Sequence, residues 1–294
     1  MVNSSEFCPT MKLKALKAIE HVKSFLVLAI IALALTVIPL SPPVSAQPLN
    51  SWSSTTSYPT GIASQSCATN SGFIYCVGGT TFPTGITDAV YFAPITSSGV
   101  GLWASTTSYP VLVAEQSCVT DSGFIYCVGG GTNAVFFATI SSSGVGTWNP
   151  TTSYPISIFE QSCVTNSGSI YCVGGLTTSS PFITNAVFFA PISSSGVGTW
   201  NPTTSYPLPI FEQSCVARAS FVYCVGGQAN PSVFSPGPTI DVFFAPISSS
   251  GVGTWTTTTS YPLPISEQSC VTRAALTYCV GGNPPIPISA VFFG

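Results

Sequence analysis

Charge is what this chain most lacks. Only 5% of its 294 residues are Asp, Glu, Lys or Arg, and there is a single histidine, His21. Every lysine and that histidine fall before residue 24, so from residue 47 onward the only basic groups are Arg218 and Arg273. Against them stand seven acids, Asp88, Glu115, Asp121, Glu160, Glu212, Asp241 and Glu267, a formal balance of minus five. Such a surface offers no basic footprint for nucleic acid or anionic lipid. Without histidine or lysine there is no imidazole for a copper site or a serine triad, and no amine for covalent chemistry. Polarity comes instead from Ser, Thr, Asn and Gln, whose hydration does not change with pH; this fits an acidic or otherwise harsh extracellular setting.

The lysines belong to a segment unlike the rest. Lys12, Lys14, Lys17 and Lys23 precede an apolar run from Phe25 to Leu40, and Ser41–Ala46 follows with a small-residue cleavage pattern. That order reads as a secretory signal peptide over residues 1–46, with Met11 an alternative start. An uncleaved anchor is the competing reading, and it is the only route to membrane contact, although the apolar stretch is short for a span.

From Trp52 to Gly294 five near-copies of one unit follow. The best preserved read Y-P, four variable residues, E-Q-S-C-V-T, a Gly-bearing turn, I-Y-C-V-G-G, a loop of changing length, A-V-F-F-A-P-I and S-S-S-G-V-G-T-W. Trp52, Trp103, Trp148, Trp200 and Trp255 keep step with Tyr58, Tyr109, Tyr154, Tyr206 and Tyr261. Short β-rich runs at a period of roughly 40–55 residues predict a β-propeller, in which stacked units bury what one unit cannot. S-C-V-T, I-Y-C-V-G-G, A-V-F-F-A-P-I and V-G-T-W are its four strands, so residues 47–294 form an all-β domain of four-stranded antiparallel blades. The fifth unit stops after strand three while the array opens at a lone strand-four Trp52. A five-bladed ring closed by pairing of the N-terminal strand with the C-terminal blade is therefore expected.

Ten cysteines form five pairs of identical spacing: Cys67 with Cys76, Cys118 with Cys127, Cys163 with Cys172, Cys215 with Cys224, and Cys270 with Cys279. Read as hairpins, each pair sits directly opposite on neighbouring strands, the register of a cross-strand disulfide. Zinc ligands are usually closer together, on one turn, so no metal site is expected at these cysteines. Disulfides in turn point to export.

Ile74-Tyr75-Cys76-Val77-Gly78-Gly79, its four counterparts and the Trp ending each unit resemble the kelch motif. The resemblance implies a kelch-type propeller of the superfamily that includes a copper oxidase and a sugar epimerase. The chain departs from it in carrying Phe137, Phe189, Phe244 and Phe293 where Tyr is common, in its paired cysteines, and in unit number. The turn Ser141–Trp148 fails as an Asp-box, since it has no Asp in the third position.

Just before each first cysteine stand Glu115, Glu160, Glu212 and Glu267, with Ser64 in the first unit, followed by Gln116, Gln161, Gln213 and Gln268. First strands are innermost in a propeller, so these side chains are expected to ring the mouth of the central channel. The variable loops Thr80–Asp88, Gly131–Asn133, Leu176–Asn185, Gln228–Asp241 and Asn283–Ser289 should emerge on the same face, where specificity is usually built. Two readings of the ring stand. It binds a sugar or a hard cation such as calcium, or each Glu accepts neighbouring backbone N–H groups and braces the array.

The expected function is a secreted or cell-surface binding module, recognising a carbohydrate or protein partner without a cofactor. A structural envelope role is the alternative. A glycan-active enzyme using two of the ring carboxylates is a further one, opposed by the near-identical surroundings of residues that would need distinct roles.

Overall fold

In every unit the S-C-V-T run turns back on I-Y-C-V through two residues. Ser122 and Gly123 hold φ of 46° and 81°, the paired left-handed conformation of a type I′ turn, whose twist matches that of the flanking strands. The computed structural model describes residues 54–229, 237–273, 276–283 and 291–294, and every regular element among them is a strand.

The third unit shows the plan. Ser162–Asn166 pairs with Ser169–Val173, which pairs with Val187–Ser193. The far edge of Val187–Ser193 carries both Gly196–Val197 and Asn201–Pro202. Units one, two and four repeat this antiparallel meander, and in the fifth Ser269–Arg273, Leu276–Val280 and Val291–Phe293 form three strands. The expected fourth strand is thus two pieces flanking the tryptophan rather than one run through V-G-T-W. The interruption turns the indole outward from its own sheet: Trp148 Nε1 donates to the Thr107 carbonyl at 3.2 Å, and Trp200 Nε1 to that of Thr152 at 3.1 Å, both in the linker arriving from the preceding unit. A local bulge is a common device for re-aiming one side chain.

The tyrosine of each Y-P linker completes that contact. Tyr154 lies edge-on to Trp200 and Phe188 at 4.9 and 5.3 Å, and Tyr109 and Tyr206 repeat the arrangement on Trp148 and Trp255. Edge-to-face aromatic pairs of this kind contribute about 0.5–1.5 kcal/mol beyond the area they bury. The core therefore sits between sheets, as the recurring aromatics imply.

All five cysteine pairs are disulfides between directly opposed strand residues, with Cα–Cα distances of 4.0–4.1 Å. Each closes a loop of about ten residues and stabilises by roughly 2–3 kcal/mol in the chain-entropy model. Five such bonds accord with an oxidising, extracellular setting.

The signal segment, the Trp52 strand and most of the Asn283–Ser289 loop lie outside the described residues. Thr55, however, is described. Its hydroxyl exchanges two hydrogen bonds with the backbone of Val100, at 2.8 and 2.9 Å. Thr106, Thr151 and Thr203, each following a strand four, bind Val145, Val197 and Val252 of the next unit in the same way.

Candidate functional site

The repeated phrase E-Q-S-C-V-T is a set of stitches between first strands, which lie side by side in successive units without a ladder joining them. Each letter has its own partner. The serine hydroxyl accepts from the next unit's cysteine N–H, as Ser117 does from Cys163 at 3.0 Å and Ser162 from Cys215 at 2.9 Å. The threonine donates to the previous unit, as Thr165 does to the Thr120 carbonyl at 2.9 Å.

The glutamines are latches. Gln116, Gln161 and Gln213 donate through Nε2 to the carbonyls of Val77, Val128 and Val173, each at 2.7 Å, where strand two of the preceding unit ends; Gln268 donates to Val225 in the same way. All four are 5–6% exposed, so they stand between sheets rather than at the open mouth. The paired glycines make room for them. A Cβ on Gly174 would come within 2.4 Å of the Ile210 carbonyl oxygen and 3.0 Å of Gln213 Nε2, so only glycine lets strand two end against the next unit.

The glutamates are joined from unit to unit through their backbones. Glu160 N–H donates to the Glu115 carbonyl at 2.9 Å, Glu212 to Glu160 at 3.2 Å, Glu267 to Glu212 at 3.1 Å, and Glu115 to Ser64 at 3.0 Å. Ser64, Glu115, Glu160, Glu212 and Glu267 all hold φ between 55° and 61°, a conformation that costs an L-residue roughly 1–2 kcal/mol. The backbone braces this chain of residues from unit to unit.

The four carboxylates interact electrostatically. Burial, then Glu212, Glu115 and Glu267 in turn, push the Glu160 carboxyl up to about 7. Glu212 is also raised, chiefly by burial, with the Gln228 hydrogen bond opposing the shift; Gln228 Nε2 reaches Glu212 Oε2 at 2.7 Å. The surroundings of the four are not alike, contrary to what near-identical repeats imply: Glu160 and Glu212 are half-buried, while Glu115 and Glu267 are exposed. One Glu160 oxygen, Oε2, is buried without a hydrogen-bond partner. Among the described residues no three acidic, histidine or cysteine side chains are grouped closely enough to hold one metal ion.

Beside the glutamates the Y-P linkers and the strand-two-to-three loops pair with one another. Ile158–Phe159 runs antiparallel to Leu176–Thr177, and Ile210–Phe211 to Gln228–Ala229, which pairs on with Gly237–Pro238. The two kinds of segment therefore emerge on one face, beside the glutamates. The isoleucines at the linker apices are fully buried, whereas Val111 and Leu112 are 47% and 67% exposed. Phe82, Ile86, Phe182 and Ile240 also stand exposed in the loops, so six of the ten exposed large hydrophobic residues described occupy these loops and linkers.

Charge divides in the same way. Asp88 and Asp241 end loops on this face and join the four glutamates. Arg218, Arg273 and Asp121 end first strands at the opposite face, where the Arg218 guanidinium stacks 4.8 Å over the Tyr223 ring.

No protein-family model matches the chain, and no curated protein matches it. Among solved structures it is similar to that of YjhT, a kelch-type propeller, at a TM-score of 0.67 and 12% identity, over 83% of this chain and 84% of the other. At that identity the likeness establishes the propeller fold alone.

Sequence reasoning located the glutamates and missed the conformation that presents them. A glutamate is an unusual occupant of left-handed backbone, and the signal available was the constancy of a bulky residue directly before every latch glutamine. It also grouped the glutamines with the glutamates, although alternation along a strand sends neighbouring side chains in different directions.

Proposed function

We propose that the protein is an exported propeller that acts by binding a carbohydrate or protein partner at the cell surface through its variable-loop face. The observation that carries this reading is the coincidence, on one face, of six acidic residues, six exposed large hydrophobics and the only segments that differ in length between units. Monomeric proteins seldom gather exposed apolar groups in one region unless that region meets something. The opposite face carries short turns, such as Ser141–Gly144 and Asp121–Phe124, whose length is the same from unit to unit. No cofactor enters this reading.

A five-bladed ring belongs to the same proposal, with the N-terminal strand completing the last blade. It is supported by the Thr55–Val100 pair, which repeats a contact otherwise made by the linker of a preceding blade.

One observation favours a second reading, a glycan-active enzyme. Glu160, half-buried and raised to about 7, is able to hold a proton near neutrality beside further carboxylates, as a general acid must. Hydrolysis of a glycan panel that disappears in Glu160→Gln would establish it; an inactive parent protein removes it.

The binding reading is tested by shortening the Leu176–Asn185 and Gln228–Asp241 loops to the length of Gly131–Asn133 and probing glycan and cell-surface arrays. Folding is expected to survive and binding to be lost. Unchanged binding would place function elsewhere, most simply in a structural envelope role.

A further inference from the structure

We infer that the groove between the loops of the third and fourth units takes an extended, cationic and apolar peptide segment of a partner protein. The inference rests on the binding reading above and names the occupant of that face.

The groove encloses about 760 Å³. Pro181, Phe182, Leu208, Pro209, Pro238 and Ile240 supply its apolar walls, and Asp241 its charged group. Phe182 is 56% exposed and Ile240 40%, so both lose water contact only if something enters. Five of its lining residues are prolines, whose fixed backbone keeps the walls in place before a ligand arrives and lowers the entropy lost on binding.

The charge around it has one sign. Thr239 Oγ1 donates to Asp241 Oδ2 at 2.8 Å, holding that carboxylate at the groove. On the axial side Gln228 pairs with Pro238 of the groove wall and donates to Glu212, so a single side chain links the wall to the glutamate cluster. From Ser54 to Gly294 both arginines end strands at the opposite face. A segment lying in the groove with a Lys or Arg directed toward the axis would meet Glu212 and Glu160 and relieve their mutual repulsion. The apolar lining selects aliphatic and aromatic side chains for the remaining contacts. A sugar finds less here: among the described residues the groove is lined by no Tyr or Trp, and its polar side chains, Thr239 and Asp241, already bond each other.

The test uses fluorescence anisotropy of labelled model peptides on the disulfide-bonded protein: one of Lys, Arg, Leu and Phe, one with Asp and Glu in place of the basic residues, and one of Ser and Gly. A glycan array that includes amino-sugar polymers runs in parallel. The cationic apolar peptide is expected to bind, to weaken as salt rises, and to weaken about tenfold in Glu212→Gln combined with Asp241→Asn. Phe182→Ser should weaken it without changing the salt dependence. Circular dichroism and Tm confirm that each variant is folded. Equal binding of all three peptides, or cationic binding indifferent to both sets of substitutions, overturns the inference. If glycans bind while no peptide does, and the loop-shortened variant loses the glycans, the binding face stands and the peptide inference falls. If neither peptides nor glycans bind, both fall.

Discussion

Glu160 donates its backbone N–H to the carbonyl of Glu115 at 2.9 Å, and both residues sit in left-handed backbone, at φ of 56° and 61°. Hydrogen bonding from unit to unit thus fixes a strained conformation at the start of each first strand, and strain of this kind clusters at active sites and ligand clamps.

Replacing Glu160 by glycine removes that strain and one of the crowded carboxylates together. Its gain is partly offset by the greater backbone freedom of glycine in the unfolded chain. Stability should rise by up to ~1 kcal/mol in chemical denaturation. A clear loss would show that the carboxylate itself braces the array.

The carboxylate cluster also sets a pH dependence. Glu160 is raised from its ordinary 4.5 to about 7 in the folded protein. Between those values the folded state holds a proton that the unfolded chain has released, so stability rises as pH falls through about 7 and levels off near 4.5. Tm measured across that window should climb toward acid, and Glu160→Gln should flatten the slope. A Tm that falls over the same window contradicts the cluster geometry.

Gln161 tests the latch. Its Nε2 reaches the Val128 carbonyl inside a buried interface, and Gln161→Leu leaves that oxygen with one bond fewer. A loss of about 1–3 kcal/mol in denaturant midpoint analysis is expected, with the fold retained. A neutral result would mean that the carbonyl is satisfied by its own ladder.

Much of this was legible in the chain before its structure. The Cys163–Cys172 hairpin followed from nine-residue spacing about a Gly turn, and the aromatic positions from their period, because both are local or strictly repeated. The split fourth strand was not, since V-G-T-W alternates like a strand and only the indole's bond to the preceding linker explains the break. Nor could the repeat reveal that Glu160 and Glu212 are half-buried while Glu115 and Glu267 are exposed. At Glu212 the neighbouring loop contributes, because Gln228 Nε2 reaches its carboxylate at 2.7 Å, a contact that the repeated phrase does not encode.

Removing one disulfide shows how far each unit depends on its staple. Cys163→Ala with Cys172→Ala should cost roughly 2–3 kcal/mol, read as a lowered Tm in a protein that still folds. A Tm unchanged in the double variant, or a parent protein with free thiols by mass spectrometry, would contradict the oxidised hairpins described above.

The central claim is that one face binds and the other does not. One set of peptide and glycan arrays, probed with the parent protein, with Phe182→Ser plus Glu212→Gln on the loop face, and with Ser142→Glu on the opposite turns, tests it most directly. The account predicts parent-level signal for Ser142→Glu and a loss of about tenfold or more for the loop-face pair. Signal lost in Ser142→Glu and kept in the loop-face pair would contradict it.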